Sequence, residues 1–246
     1  MNSYNKNNME NKEIKVRLKN INKAFGKNKV LDDISIDLYE GELVTLIGPS
    51  GCGKSTIFNI ISNLTSVDSG EVEIKSEISY MHQKDLLLTY KTIMDNVTLP
   101  LIIKNMNKKN AYKIAEEYIP IFGLRGYEKM YPKDLSGGMR QRANFLRTFL
   151  CSNELMLLDE PFGSLDYITK SELHEWFLDV RKNINTSILL ISHDIDEAIK
   201  LSDRIYVLSQ KPAKIKKEFD LKNTNFDKSS IEYCSKLKEQ ILNNLK

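Results

Sequence analysis

Hydrophobic and polar positions alternate through much of the first forty residues. Ile14, Val16 and Leu18 stand between polar neighbours, as do Ile34, Ile36 and Leu38, which is the period of strands with one buried face. The "KAFGKNKV" between them reads as a turn. "ELVTLIG" is a short unbroken apolar run ending in glycine, the pattern of a strand covered on both faces. The spacing then becomes helical in "KSTIFNIISNL", and "SGEVEI" and "ISYMHQ" return to strand character. From about Lys91 to Lys133 the chain reads as polar and helical, with breaks expected at Pro100, Pro120, Gly123 and Pro132. "SGGMRQRANFLRTFLCSN" predicts a helix opened by a serine cap. "LMLLDE" and "SILLISHD" predict buried strands joined by the helix "YITKSELHEWFLDVRKN", a βαβ rhythm. "RIYVLSQ" and "KIKKEFD" follow as strands, and "SSIEYCSKLKEQILNNLK" as an amphipathic helix. The pattern as a whole predicts an α/β core in two sequence pieces, interrupted by a mostly helical lobe over about 86–150.

Bulk properties narrow the class without naming it. The chain has 246 residues, room for one large domain or two lobes sharing a core. Its 36 basic and 33 acidic residues leave a net charge of +3, so no strong field points to nucleic acid or an anionic bilayer. Cys52, Cys151 and Cys234 are scattered, with neither a disulfide framework nor a metal spacing, which implies a reducing interior. No apolar run approaches the roughly 18 residues that a membrane span needs. The polar "MNSYNKNNMENK" lacks the apolar segment of a secretion signal and is expected to be a disordered tail over 1–12.

Two stretches carry the chemistry of phosphate binding. "GPSGCGKST" satisfies the pattern G-x-x-x-x-G-K-S/T with Gly48, Gly53, Lys54 and Ser55, after a predicted buried strand and before a predicted helix. Glycines let backbone N–H groups face phosphate oxygens, and the helix start adds a positive dipole. Lys54 is expected to reach the β- and γ-phosphates and the Ser55 hydroxyl to ligate Mg²⁺. The second stretch, "LSGGMRQR", has the same ingredients: a serine, two glycines, then basic residues entering a helix. Downstream, "LMLLDE" delivers Asp159 and Glu160 to a strand end, where one carboxylate can hold hydrated Mg²⁺ and the other can polarise a water. "ISHD" delivers His193 in the same way.

Together these residues resemble the ATP-binding subunit of ATP-binding cassette (ABC) transporters, from about Ile14 to Ile215. "GPSGCGKST" is similar to the Walker A motif, "LMLLDE" to Walker B, "LSGGMRQR" to the family signature and "SLD" at Ser164 to Asp166 to the D-loop. His193 matches the switch histidine, Gln83 in "YMHQKDLLL" the Q-loop glutamine, and Phe25 the aromatic ring under adenine, where tyrosine is more usual. The resemblance implies a P-loop NTPase fold with a RecA-like core, an antiparallel β subdomain and a helical subdomain. The cassette is expected over 13–220 and a C-terminal helical extension over 221–246. It implies ATP held by Phe25 and by Gly48, Pro49, Ser50, Gly51, Cys52, Gly53, Lys54, Ser55 and Thr56. Mg²⁺ is expected on Ser55, Gln83 and Asp159, and Glu160 as base with His193 and Gln83 beside it. Ser136, Gly137 and Gly138, with Asp166, are expected to complete the ATP site of a second copy in a head-to-tail pair.

Finer features point to a subgroup. The signature carries Met139 where glutamine is common elsewhere. "VLSQKPAKI", Val207 to Ile215, and "LLLTYKTIMDNVTLPL" are similar to segments of importers for nitrate, sulfonates, taurine and thiamine-precursor pyrimidines, with Tyr90 in place of tryptophan. The stretch before Gln83 is shorter than the usual hairpin, and "ANFLRTFL" replaces the usual small-residue helix. The resemblance implies a membrane permease as partner around Leu86 to Leu101, an extracytoplasmic substrate-binding protein, and a peripheral location on the cytoplasmic face of the membrane. Exporter or membrane-remodelling ATPases of the same fold remain an alternative reading. So does a soluble ABC ATPase, although such proteins usually carry two cassettes or long arms. A kinase or GTPase would leave "LSGGMRQR" and "SLD" unexplained.

Overall fold

A computed structural model describes residues 13–84, 86–163, 165–222 and 230–245; the expected tail over 1–12 lies outside the described residues, as does Ser164. In chain order the first elements are β1 (Ile14–Phe25), β2 (Asn28–Tyr39), β3 (Leu43–Ile47), α1 (Lys54–Ile61), β4 (Ser69–Ile74) and β5 (Ile78–Met81). Next come α2 (Ile93–Ile103), α3 (Lys108–Tyr118), α4 (Gly137–Cys151), β6 (Leu155–Asp159) and α5 (Tyr167–Asn183). The last are β7 (Ser187–Ser192), α6 (Ile195–Leu201), β8 (Arg204–Leu208), β9 (Ile215–Asp220) and α7 (Ile231–Leu245). They form two compact units, one of Met1–Ser76 with Ser187–Lys246 and one of Glu77–Thr186, and the helical stretch expected over 86–150 falls inside the second.

The first unit holds an antiparallel sheet of order β2-β1-β4 and the run β7-β3-β8-β9, in which β7, β3 and β8 are parallel and β9 returns antiparallel. The turn expected over "KAFGKNKV" shrinks to Gly26 and Lys27, because Phe25 already pairs with Asn28. Gly26 takes a φ of 59°, which lets the chain reverse within two residues. Every residue of β3, β7 and β8 is buried, as their apolar runs require. Thr45, the polar exception in β3, meets the Ser202 hydroxyl at 2.5 Å. On one side α6 and α7 close the core: Leu237 and Ile241 of α7 join Ile47, Ile199, Ile205, Val207 and Phe219. Burying each such side chain contributes roughly 1.5–3 kcal/mol. Helix α6 leaves no periodic signature in the sequence because seven residues hold too few turns, although Asp194 caps it by accepting from the N–H groups of Asp196 and Glu197.

Arg204 ties the two sheets of this unit together. Its guanidinium grips Glu42 through Nε (2.5 Å) and Nη2 (2.9 Å) and donates to the Asp37 carbonyl, the Tyr206 hydroxyl and Glu218. Buried charge is costly unless fully satisfied, and here every edge of the fork has an acceptor.

In the second unit β5 and β6 run parallel, and α4 packs against α2 and β5. Two expectations change. Helix α2 is buried rather than polar, with Ile93, Met94 and Val97 inside, and Pro100 lies within it instead of breaking it. The proline costs one N–H bond, and the helix carries on to the Ile103 turn, where Lys104 N donates to the Pro100 carbonyl. Phe122, Phe145, Phe162, Trp176 and Phe177 form an aromatic core, and the Arg142 guanidinium stacks 5.0 Å from the Trp176 ring. No helix among the described residues is long and apolar enough to cross a membrane.

Candidate functional site

The phosphate loop leaves the C-terminal edge of β3, where open parallel sheets place ligands. Parallel register sets its neighbours. Ile47 pairs with Ser192 of β7 and with Val207 of β8, so the next residues, His193 and Leu208, stand level with Gly48. His193 is exposed. The loop itself is tightly built. A Cβ on Gly48 would lie 2.9 Å from the Leu208 Cβ, and Gly53 adopts a φ of 128° that only glycine takes without strain.

The bare start of α1 and the setting of Lys54 both suit a phosphate chain. Gly53, the N-cap of α1, offers no side-chain acceptor, and the first turn of α1 holds no acidic residue. The orphan N–H groups of that turn therefore suit an external anion. Lys54 is buried, and its ammonium donates to the carbonyls of Gly48 (2.7 Å) and Pro49 (3.0 Å), with no carboxylate partner among the described residues. A buried cation on neutral carbonyls is positioned to meet phosphate oxygens. Cys52 is also buried, and burial pushes its thiol up from the ordinary value, which makes it a poor nucleophile. Ser55 is exposed on the first turn of α1. Phe25 is half exposed at the hairpin tip with Lys23 5.3 Å from its ring centre, leaving ring surface for a flat partner.

In the second unit the same register logic assembles the acids. Met81 of β5 pairs with Leu158 of β6, so Gln83 comes level with Glu160. The Gln83 amide indeed donates to the Glu160 carboxylate at 2.9 Å. Glu160 has a φ of 46°, in the left-handed region that a non-glycine residue enters at a cost. Asp159 accepts from the Tyr80 hydroxyl at 3.2 Å. Burial first, then the Asp159 carboxylate, raise the Tyr80 hydroxyl far above its ordinary value, so it stays a donor through neutral pH. Tyr80 in turn stacks on His82 with centroids 4.1 Å apart. Tyr80 is not among the site residues expected from the motifs, and only the strand pairing reveals it. Carboxylate, hydroxyl and amide oxygens are the hard donors that Mg²⁺ takes, a type that Asp159 and Gln83 offer in this unit and Ser55, taken by itself, in the first.

The signature and the D-loop are brought together as two helix starts. Ser136 caps α4, its hydroxyl accepting from Met139 N at 3.3 Å, and Asp166 caps α5, accepting from Thr169 N at 3.0 Å. That Thr169 N–H bond holds the Asp166 carboxyl below its ordinary value. Cβ atoms on Gly137 and Gly138 would meet Leu165 at 3.3 Å and Thr169 at 3.1 Å, so the two starts abut and larger residues would part them. Ser136 keeps its own hydroxyl proton for an outside acceptor.

These features define a class. A family model described as ABC transporter matches residues 31–163, more than half of the 246, and the chain belongs to that family as an ATP-binding cassette ATPase. Among its relatives, the formylaminopyrimidine import ATP-binding protein ThiZ of Halalkalibacterium halodurans is 46% identical over 74% of each chain. An aliphatic sulfonates import ATP-binding protein, SsuB of Bacillus cereus, is 37% identical over 92% of this chain and 94% of its own. The dimeric structure of MJ0796, a bacterial ABC transporter cassette, superposes with a TM-score of 0.70 at 28% identity, covering 85% of this chain and 100% of that one.

Proposed function

We propose that the chain is the ATP-hydrolysing subunit of an importer for a small organic molecule of the formylaminopyrimidine or sulfonate type, working at the cytoplasmic face of a membrane. The observation that carries the ATPase reading is the uncapped α1 behind a glycine loop whose buried Lys54 has only carbonyls to hold. The import reading is supported by relatives named for import over most of the chain. A membrane permease would supply the pathway, docking around Leu86 to Leu101, where Leu86 and Tyr90 are exposed. An extracytoplasmic binding protein would deliver the cargo.

In this reading Phe25 stacks on adenine, and the loop from Gly48 to Thr56 with Lys54 holds the phosphates. Mg²⁺ would supply positive charge against the phosphates. Ser55, Asp159 and Gln83 are the residues that would hold that ion. Glu160 accepts a proton from the attacking water, and His193 donates to the γ-phosphate. Ser136, Gly137 and Gly138 of a second copy present their N–H groups to the same γ-phosphate, with Asp166 beside them. ATP binding then draws two copies together and hydrolysis releases them, which is the motion the permease would use. In the free chain the Gln83 amide donates to Glu160 Oε2 at 2.9 Å, which orients the carboxylate, and one such bond does not exhaust a carboxylate's capacity to accept from water.

Glu160→Gln tests the assignment. The variant is expected to bind ATP near normally, to lose about a hundredfold or more in turnover, and to accumulate as a dimer in size-exclusion chromatography with ATP. Near-normal phosphate release would remove Glu160 from the role of base.

A further inference from the structure

The segment "VLSQKPAKI" has no part in the chemistry described so far, yet it backs the phosphate loop at both ends. Leu208, fully buried, follows the last β8 residue paired with β3 and stands against Gly48. A Cβ on Gly48 would lie 2.9 Å from the Leu208 Cβ, 3.0 Å from the Cys52 Sγ and 3.3 Å from the Leu208 carbonyl. At the far end of the loop, a Cβ on Gly53 would lie 2.8 Å from the Leu31 Cδ2 and 3.0 Å from the Val30 Cγ1.

Val30 and Leu31 are in turn stitched to the turn after β8. Ala213 N donates to the Val30 carbonyl at 2.8 Å, and Asp32 N donates to the Ala213 carbonyl at 2.9 Å. Ala213 is fully buried, and outside this parallel bridge Lys214 Nζ pairs with Asp32 at 2.8 Å. Ser209 closes the turn on itself. Its N–H donates to the Lys214 carbonyl at 2.9 Å, and its hydroxyl accepts from Lys214 N at 2.9 Å.

We infer that Leu208 to Lys214 is a positioning element for the phosphates of ATP: Leu208 directly, and Ala213 through Val30 and Leu31, set the separation and tilt of Gly48 and Gly53. Their role is to hold the loop rather than to bind the nucleotide. Backbone N–H groups bind phosphate well only when their directions are fixed beforehand, and a loop rich in glycine cannot fix them unaided. The close contacts at Gly48 and Gly53 supply the missing stiffness from outside the loop. The inference rests on the reading of this loop as the ATP site.

The test uses the full chain with Leu208→Gly, which removes the Cβ that meets Gly48, Leu31→Ala, which removes the Cδ2 that meets Gly53, Ser209→Ala, Ser209→Thr and, as reference, Lys54→Ala. Three quantities are measured: the dissociation constant of a fluorescent ATP analogue, KM against kcat, and site-resolved alkylation of the three cysteines without nucleotide. Leu208→Gly and Leu31→Ala are each expected to weaken analogue binding about fivefold or more and to raise KM in step, with kcat held within about twofold. Ser209→Ala is expected to lose about two- to threefold and Ser209→Thr to keep the parent affinity. Cys52, whose Sγ borders the same space beside Gly48, should be alkylated faster in Leu208→Gly while Cys151 and Cys234 keep their rates. Unchanged analogue affinity together with unchanged Cys52 labelling overturns the inference. So does equal acceleration at all three cysteines, which reports general loosening. Should Leu208→Gly fail to fold, Leu31→Ala carries the same expectations for affinity and KM. Lys54→Ala with full analogue binding would remove the ATP reading itself, and the positioning role with it.

Discussion

Glu160 combines two demands that pull apart. Its backbone sits at a φ of 46°, and its carboxylate is held by Gln83. A left-handed conformation costs a non-glycine residue about 1–2 kcal/mol, and such costs gather where function over-determines a residue. Glu160→Gly should therefore raise the thermal midpoint by about 2–4 °C while abolishing phosphate release. Calorimetry beside a turnover assay measures both. A midpoint that falls instead would mean that the contact with Gln83 outweighs the backbone strain. Cys52 illustrates a different balance. It sits inside the phosphate loop at a position the pattern leaves variable, and its buried, raised thiol acts as packing between Gly48 and the core.

At the scale of elements, helix starts do the recognising. Helix α1 begins on a glycine that gives it no cap, while α4 and α5 begin on Ser136 and Asp166, which cap them from within. The contrast separates a start that leaves its first-turn N–H groups without a side-chain acceptor from starts that satisfy one of theirs from within. Ser136→Arg should keep ATP binding by the isolated chain and lose the rise of turnover with protein concentration. Titrating phosphate release against protein concentration decides it, and loss of ATP binding in dilute protein would show that Ser136 serves its own loop. Losing the cap should also cost about 1 kcal/mol of stability.

These starts are legible in the sequence because each depends on a short, fixed spacing of glycine, serine and charge. Helix α5 and strand β4 are legible to the residue for the same reason: their boundaries coincide with capping and turn residues. What the sequence hides depends on register between strands far apart in the chain. The bond from Gln83 to Glu160 follows from the pairing of β5 with β6, and the seat of Leu208 from that of β3 with β8. Neither pairing leaves a local mark. Pro100 misleads for another reason. Proline is a breaker on average, but a helix with Ile93, Met94 and Val97 buried has enough packing to offset one missing bond.

For the molecule as a whole, several carboxylates share one electrostatic habit. Asp32 is held low by Lys214, Asp68 by Lys23, Asp95 by the Tyr112 hydroxyl and Asp166 by the Thr169 N–H. A carboxyl group whose folded value is depressed stabilises the fold above its unfolded value, about 3.9 for Asp, and loses that contribution as pH falls through the folded value. The thermal midpoint should thus stay level from about pH 7 to pH 5 and drop below about pH 4. Asp95→Asn should shallow the acid limb, since Asn has no proton to take up. Circular dichroism melts across that range measure it, and an acid limb as steep as that of the parent would discount Asp95.

The order of strands in the first unit also bears on how the protein is made. β3 lies between β7 and β8, which a ribosome delivers more than a hundred residues later, while everything from Glu77 to Thr186 emerges in between. A nascent chain stopped short of Ser187 would carry every residue of the phosphate loop and neither strand that supports it. Synthesis thereby separates the loop from its supports in time, and a nascent chain is expected to gain its grip on nucleotide only after β7 and β8 have emerged beside β3.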